Sequence, residues 1–188
     1  MLAPEINRKL TETDDGTPCG TLMRRYWQPV ALTDELAGNR PVVPVRIFGE
    51  DLVLFRDGDG RLGLIDRHCP HRQADLCYGR LESNGLRCPF HGWLFDAEGT
   101  CLDQPGELPD NNRERHFGQA AYPCVERNGM IFGYLGPGEP PALPAIDSLE
   151  APDSHVFAFK GFLECNYLQA VEVGIDPAHA SFLHRYLQ

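Results

Sequence analysis

Two short motifs each place one cysteine and one histidine in a tight loop. The first is Cys69-x-His71 and the second is Cys88-x-x-His91, with sixteen residues between them. Together they supply two thiolates and two imidazoles. Thiolates are soft donors that suit zinc and iron–sulfur chemistry, and imidazole binds either metal. The motifs therefore predict one metal centre that is built from both loops.

The mixed composition of each pair separates two kinds of centre. Zinc modules usually take a pair of cysteines and a separate pair of histidines, with about two to four residues between paired ligands. Here each pair mixes the two residue types, and the first pair is shorter. In a Rieske centre two histidines replace two cysteines on one iron, which raises the reduction potential. We predict a Rieske-type [2Fe–2S] cluster on Cys69, His71, Cys88 and His91, with structural zinc as the alternative.

The residues around these motifs have supporting roles. Pro70 and Pro89 stiffen the loops, and Phe90 and Trp93 are expected to shield the cluster, whose potential depends partly on burial. His68 is expected to be a loop residue beside the site. The remaining five cysteines are expected to be small buried apolar residues: Cys19, Cys77, Cys101, Cys124 and Cys165.

A second group of metal-binding side chains stands near the end of the sequence. Asp176, His179 and His184 could form the two-histidine, one-carboxylate triad of non-haem iron(II) sites. Asp176-Pro177 has the residue types of a helix start, so His179 would lie in the first turn. His184 would lie about 140° further round an ideal helix. A distortion or a helix end is needed to bring both rings to one metal, and the alternative is that they are ordinary surface or core residues.

The second group closely resembles a known iron motif, Glu-x3-Asp-x2-His-x4-His, of the Rieske ring-hydroxylating oxygenases. The segments MRRYWQPVAL, GEDLVLFRD, DRHCPHR and CPFHGWLFD most resemble oxygenase components of the phthalate 4,5-dioxygenase and aryl O-demethylase type. Respiratory Rieske proteins have an extra cysteine in each loop, whereas Ala74 and Phe90 stand at those positions here. The sequence is identified as a member of the oxygenase branch, and the resemblance covers nearly all 188 residues.

The resemblance implies a role for each residue of the second group. His179 and His184 match two ligands of a mononuclear Fe(II). Asp176 matches the catalytic acidic residue that links this iron to a Rieske histidine of a neighbouring subunit, and a carboxylate can accept a hydrogen bond from a metal-bound imidazole. Asn166 matches a residue near the iron, or caps a helix. Glu172 would support the site by hydrogen bonds or lie on a solvated helix face. The family's third iron ligand, an aspartate, is expected beyond the end of this sequence.

Two functions remain open from the sequence. In the first, the chain is the N-terminal part of an oxygenase component. A flavin or iron–sulfur reductase then supplies electrons through the cluster to the mononuclear iron, which activates O2 on an aromatic acid, and the resemblance implies a homotrimer for the full-length form. In the second, the chain by itself is an electron carrier like a Rieske ferredoxin. A zinc-stabilised binding module is a third alternative.

Composition excludes some partners. The formal net charge is −10 and the pI is about 5.1, which argues against nucleic acid and anionic membranes. The first residues contain no apolar core of signal-peptide length, and no run approaches the roughly 18 apolar residues of a membrane span. We therefore expect a cytoplasmic protein.

The chain is predicted to be α+β and to divide into four segments. Residues 1–25 form a helical segment, and residues 26–136 form an antiparallel β Rieske domain with both cluster loops at one tip. Residues 137–146 are a proline-rich linker. Residues 147–188 are the truncated start of an α+β catalytic domain, and we expect this segment to be poorly anchored because it cannot bury a core alone.

Local patterns predict the individual elements. Strands are predicted at residues 42–48, 52–56, 62–65, 86–88, 130–135 and 156–162. A helix is predicted at residues 164–173, with an interruption at Gly174. Hairpin turns are predicted at residues 57–60, 83–85 and 128–129.

Overall fold

Short antiparallel strands make up most of the ordered structure between the first and last helices. The computed structural model describes residues 2–39, 41–107 and 117–185, so the outer ends of the first and last predicted segments lie outside the described residues. The strands are β1 Gln28–Leu32, β2 Val42–Ile47, β3 Glu50–Arg56, β4 Leu62–Asp66, β5 Arg80–Glu82, β6 Gly85–Arg87, β7 Leu94–Phe95, β8 Cys101–Asp103, β9 Ala121–Tyr122, β10 Cys124–Arg127 and β11 Met130–Gly133.

The helices lie at the two ends of the chain. They are α1 Pro4–Thr11, α2 Pro18–Met23, α3 Asp147–Glu150, α4 Tyr167–Ile175 and α5 Ala178–Leu183, with shorter 3-10 turns at Thr33–Leu36, Leu76–Tyr78 and Asp153–His155. The predicted α+β class is confirmed. In the described ranges, no helix has the length and apolar character needed to cross a membrane.

The strands form three antiparallel sheets. Their orders are β1-β11-β10, β2-β3-β4-β9 and β5-β6-β7-β8. Strand β3 carries the most buried apolar run, and its side chains alternate between two cores as the period of two requires. Val53 and Phe55 enter the core that contains the cysteines of both cluster motifs. Leu52 and Leu54 enter the second core, together with Ile131 of β11. The β2-β3-β4-β9 sheet therefore contributes to both cores, and one of its faces packs in the core that contains the cysteines of the predicted metal site.

All three predicted hairpin turns form, and the one at Ser83-Asn84 joins β5 to β6, where Glu82 pairs with Gly85. In the turn after β3, the buried carboxylate of Asp57 accepts hydrogen bonds from the backbone N–H of Asp59 and of Arg61. In the turn before β11, Asn128 and Gly129 both have positive φ angles, 49° and 78°. This pair suits the type I′ geometry that two-residue hairpins prefer.

The structure corrects three predictions in the last segment. Residues 156–162 form no strand, although their apolar pattern alternates. Helix α4 spans Tyr167–Ile175 and passes through Gly174 without the predicted interruption. Helix α5 begins at Ala178, and Asp176 ends α4 instead of occupying the N-cap position of α5. The cause of the first error is that a strand needs a neighbour to pair with, and none of the described strands pairs with this run.

The last segment contacts the rest of the chain through several polar groups, and Leu149 of α3 is buried. The Tyr167 hydroxyl donates to the carbonyl of Leu10 at 2.7 Å, and it lies 3.0 Å from the Cys19 thiol. The Asn128 side chain donates to the carbonyls of Ser148 and Ala151, both at 3.0 Å. Neither α4 nor α5 contains a buried residue. The four-segment division of the chain remains a prediction.

Candidate metal centre

The first cluster loop, residues 67–76, connects β4 to the turn at Leu76–Tyr78. The backbone N–H of Cys69 donates to the Ala74 carbonyl at 2.9 Å, and the N–H of Gln73 donates to the Cys69 carbonyl at 2.8 Å. Gln73 has a φ of 57°, an unusual value for a residue with a side chain. At the base of the loop, Arg67 forms two hydrogen bonds with Asp75. These contacts fix a tight turn around Cys69.

The second cluster loop, residues 87–94, connects β6 to β7. The N–H of Cys88 donates to the Trp93 carbonyl at 2.7 Å, and the N–H of Gly92 donates to the Cys88 carbonyl at 3.2 Å. Gly92 has a φ of 78°. A Cβ at this position would lie 2.9 Å from Cγ of Pro105, so both the backbone angle and the space favour glycine.

The four predicted ligands come together across the two loops. The Cys88 thiol lies close enough to Cys69 to help raise the pKa of the Cys69 thiol, and the ring centroids of His71 and His91 lie 4.5 Å apart. Both cysteines are buried, whereas His71 is half-buried and His91 is exposed. The site therefore has a thiol side in the core and an imidazole side at the surface.

The state of these donors fits a bound metal cluster. Nδ1 of His71 is buried and has no hydrogen-bond partner among the described residues. Leaving such an atom unsatisfied is costly, and a bond to a metal would satisfy it. Burial is the main cause that raises the pKa of the Cys69 thiol to about 12, and metal binding would displace that proton. Two thiols beside two imidazoles form the donor set that a Rieske [2Fe–2S] cluster requires.

The two kinds of centre considered for these donors would group them differently. Within the described part of the chain, no three His, Cys, Asp or Glu side chains are placed to hold a single metal ion. A structural zinc would need four ligands around one ion. In a Rieske centre the two histidines bind one iron and the two cysteines bind the other.

Aromatic residues cover the site unequally. Trp93 is 5% exposed, and its ring stacks on His71 with centroids 4.9 Å apart and an interplanar angle of 6°. Phe117 packs against Trp93 at 5.3 Å. Phe90 is 61% exposed, although its ring centroid lies 4.0 Å from that of His91. Trp93 therefore covers the site from the core, and Phe90 covers only the outer histidine.

The remaining cysteines differ in burial from the prediction. Cys101 is buried as expected, while Cys19, Cys77 and Cys124 are only partly buried. Cys165 is exposed, so the prediction for this residue is wrong. Cys165 lies in the last segment before α4, where the described chain packs no core around it.

The second predicted group is only partly assembled. The ring centroids of His179 and His184 are 5.6 Å apart, and His184 stands at the C-terminal end of α5 as the geometry required. Nδ1 of His179 is buried without a hydrogen-bond partner in the described structure, and it lies 3.6 Å from Oδ2 of Asp176. Oδ1 of Asp176 accepts the N–H of Ala178 at 2.8 Å. Two histidines and one carboxylate are thus adjacent.

The two further residues of the second group, Asn166 and Glu172, have positions that match the alternatives to a role at the iron. The side chain of Asn166 caps α4 by accepting the N–H groups of Leu168 and Gln169. Glu172 is exposed on α4.

Two arginine–carboxylate groups at the bases of the cluster loops were not anticipated from the sequence. They are Arg67 with Asp75, and Arg87 with Glu82 and Asp103. The partners of Arg87 lie on β5 and β8, so no local spacing in the sequence marks them.

A protein-family model for the Rieske [2Fe–2S] domain matches residues 26–122, more than half of the chain. The chain belongs to the Rieske [2Fe–2S] family. Both cluster loops fall inside the matched range. Membership makes a [2Fe–2S] cluster the expected cofactor of this Rieske domain, in agreement with the buried donors described above.

Curated relatives of this Rieske chain are oxygenase subunits. It is 44% identical to the 5,5'-dehydrodivanillate O-demethylase oxygenase subunit of a Sphingobium species, over 98% of the chain and 44% of that protein. It is 41% identical to the phthalate 4,5-dioxygenase oxygenase subunit of Pseudomonas putida, over 98% and 42%. It is 43% identical to the tert-butanol monooxygenase / tert-amyl alcohol desaturase oxygenase subunit of Aquincola tertiaricarbonis, over 95% and 38%. The predicted resemblance to oxygenase components is confirmed.

Solved structures give the same result for the fold. The oxygenase in the oxygenase–ferredoxin complex of carbazole 1,9a-dioxygenase superimposes with a TM-score of 0.69 at 26% identity, covering 94% of this Rieske chain and 43% of that chain. Dicamba monooxygenase with non-haem iron and dicamba gives 0.59 at 30% identity, over 69% and 40%. The chain spans about two fifths of the length of the relatives it matches.

Proposed function

We propose that this chain is the electron-accepting part of a Rieske oxygenase subunit, with a [2Fe–2S] cluster on Cys69, His71, Cys88 and His91. The observation that supports this most is the buried Nδ1 of His71, which has no partner among the described residues and belongs to the same site as the buried Cys69 and Cys88. When bound, such a cluster accepts and passes on single electrons. The cysteines would hold it from the core. Exposed His91 would present its outer side to electron partners.

The second group supports a further role in oxygenation. His179 and His184 would hold an Fe(II) ion, because their rings are adjacent and Nδ1 of His179 is without a partner in the described ranges. A facial triad needs a carboxylate as well. Asp176 would accept a hydrogen bond from a cluster-bound histidine of a neighbouring subunit and so connect two centres in a homotrimer.

The partners of this function follow from the relatives. A flavin or iron–sulfur reductase would supply electrons, and O2 would be the oxidant. The names of the phthalate and dehydrodivanillate relatives favour an aromatic acid as substrate. The tert-butanol relative is almost equally similar, so the substrate class depends on direct assay.

The incomplete metal-binding group at the second site favours the alternative that the chain by itself is an electron carrier. Asp176 lies beside His179, but among the described residues no three His, Cys, Asp or Glu side chains are placed to hold one metal ion. The polypeptide by itself would then serve as an electron carrier, with its cluster active and its second site empty.

Metal analysis of protein purified without oxygen tests the proposal. Iron, zinc and acid-labile sulfide are measured per chain. Two irons with two sulfides support the cluster and favour the carrier function for the isolated chain. A third iron supports the role of His179 and His184, and its loss in the double variant His179→Ala/His184→Ala, with the sulfide unchanged, locates it. Zinc without sulfide overturns the proposal.

A further inference from the structure

Arg87 joins three parts of the molecule beside the second cluster loop. It precedes Cys88, and its Nη1 donates to the carbonyl of Gly92, the residue directly after His91. Nη1 also donates to Oδ2 of Asp103 at 2.7 Å. On its other edge, Nε and Nη2 donate to the two carboxylate oxygens of Glu82 at 2.6 and 2.8 Å. One guanidinium therefore connects β5, β8 and the loop that carries two predicted ligands.

From this geometry we infer that Arg87 is a positioning residue for His91, held in place by Glu82 and Asp103. The inference rests on the proposed ligand set. The carbonyl of Gly92 is fixed on one side by the guanidinium, and the N–H of the same residue is fixed by the Cys88 carbonyl at 3.2 Å. Both peptide units of Gly92, which directly follows His91, are thus held, while the imidazole itself is exposed. The rings of His71 and Phe90 lie beside the His91 ring, with centroids 4.5 and 4.0 Å away, and the fixed backbone after His91 adds a further constraint on its orientation.

Partial burial and two parallel hydrogen bonds restrict the geometry of the Arg87–Glu82 ion pair. The Arg87 side chain is 17% exposed and that of Glu82 is 25% exposed, so water only partly screens the pair. Two parallel N–H···O bonds between a guanidinium and a carboxylate fix relative orientation as well as distance. The hydrogen bonds from Arg87 and from Arg80 lower the pKa of Glu82 to about 2. The pair therefore stays ionised over the whole pH range in which the protein would be assayed.

Two other arginines provide natural comparisons. Arg80 also donates to Glu82, at 2.8 Å, but its side chain is 75% exposed and none of its described hydrogen bonds reaches the second loop. Arg67 forms a bidentate pair with Asp75, which joins the two ends of the first loop at its base. Arg87 differs because one of its donors reaches a carbonyl inside the loop. A comparison of the three residues therefore distinguishes the effect of a nearby charge (Arg80), of closing a loop at its base (Arg67) and of a direct contact inside the loop (Arg87).

Charge and positioning have different consequences for a cluster. Net charge and hydrogen bonding around a Rieske cluster are among the factors that set its reduction potential. A positive group near the cluster favours the reduced form, which carries one more negative charge. Loss of Arg87 should therefore lower the midpoint potential, and loss of the Glu82 charge should raise it. Residues that orient metal ligands typically change metal affinity by about 10–100-fold when they are replaced.

The test uses Arg87→Met, Arg87→Lys, Glu82→Gln and the control Arg80→Met in the anaerobically purified chain. The midpoint potential and the electron paramagnetic resonance spectrum of the reduced cluster are measured, together with the rate of cluster loss to a chelator and the urea midpoint. Arg87→Met is expected to lower the potential, shift the g-values and release the cluster ~10-fold faster. Glu82→Gln is expected to raise the potential. Arg80→Met is expected to behave as wild type, and Arg87→Lys should restore part of the potential but not the g-values.

The outcomes distinguish the inference from the proposed function. If the wild-type chain contains no iron or sulfide, the ligand assignment fails and the inference fails with it. If the cluster is present and Arg87→Met keeps the wild-type potential and g-values, only the inference is overturned, even when the urea midpoint falls. Equal changes of potential and g-values in Arg80→Met and Arg87→Met would mean that any nearby positive charge has the same effect, and this would also overturn the inference. If Arg87→Met does not fold, unchanged g-values and potential in both Arg87→Lys and Glu82→Gln overturn it.

Discussion

The guanidinium of Arg67 and the carboxylate of Asp75 form two hydrogen bonds, Nε to Oδ1 at 3.0 Å and Nη2 to Oδ2 at 2.6 Å. The two residues flank Cys69 and His71, so this pair closes the first cluster loop at its base. Oδ1 of Asp75 also accepts the backbone N–H of Cys77 at 2.9 Å. The loop therefore has a charged closure that is formed entirely by protein groups.

Asp75→Asn should weaken the fold at neutral pH and have little effect in strong acid. The hydrogen bonds from Arg67 lower the pKa of Asp75 from 3.8 to about 2. A depressed pKa means that the carboxylate stabilises the folded state fully above pH 4, and that this contribution is lost as the pH falls through 2. With allowance for solvent screening, we expect a loss of about 1–2 kcal/mol at pH 7. Urea unfolding at pH 7 and at about pH 2 measures the difference.

The pair between Arg46 and Asp51 is a matched control for this prediction. Its hydrogen bonds are 3.0 and 3.1 Å long, but the Arg46 side chain is 72% exposed. Exposed pairs contribute roughly 0–1 kcal/mol. Asp51→Asn should therefore change the free energy of unfolding less than Asp75→Asn does. Equal losses at the two sites would contradict a special role for the loop closure.

Replacing either predicted histidine ligand should abolish the Rieske spectrum. In the proposed cluster, His71→Ala and His91→Ala would each remove one of the two imidazole donors of one iron. Absorbance and electron paramagnetic resonance of anaerobically purified variants provide the measurement. Cys101→Ser is the control for buried thiols, because Cys101 is 2% exposed and Cys69 is 1% exposed. Cys101→Ser and Cys77→Ser should keep the cluster, and its loss in either would show that the wrong thiols were assigned.

Gly92→Ala should disturb the second loop more than its backbone angle alone explains. A left-handed backbone costs a non-glycine residue about 1–2 kcal/mol. The new Cβ would also lie 2.9 Å from Cγ of Pro105. Gly16 has a φ of 77°, and a Cβ added there would meet nothing within 4 Å, so Gly16→Ala isolates the cost of the angle. Thermal unfolding should show the larger loss for Gly92→Ala, with lower cluster content, and identical behaviour of the two variants would contradict the steric argument.

The two loops that carry the proposed cluster ligands could be predicted from the sequence because the spacing within each motif is local. Two residues in one tight loop are close whatever the rest of the chain does, so Cys69-x-His71 and Cys88-x-x-His91 needed no knowledge of the fold. The turn at Asn128-Gly129 was predictable for the same reason, since the required positive φ angles depend on residue type.

The supporting interactions could not be predicted in this way. Arg87 meets Glu82 across a β5-β6 hairpin and meets Asp103 on another strand, so the contacts depend on sheet register. At residues 156–162 the sequence predicted an element that does not form. Their pattern favours a strand, but pairing decides whether a strand forms, and the described residues offer this run no neighbour.

Asp176→Asn tests the proposed link between two metal centres. Oδ1 of Asp176 accepts the N–H of Ala178 at 2.8 Å, and an asparagine can keep this bond through its carbonyl oxygen. The substitution removes the negative charge that would hold a metal-bound imidazole of the neighbouring subunit. In a full-length relative with this segment, we expect electron transfer between the centres to slow by ~10-fold or more while both metals stay bound. Single-turnover kinetics with metal analysis measure both quantities.

Glu172→Gln is the control, because Glu172 is exposed on the preceding helix and its substitution should not change the rate. Unchanged transfer in Asp176→Asn would remove the linking role, and loss of iron would show instead that Asp176 supports the metal site itself.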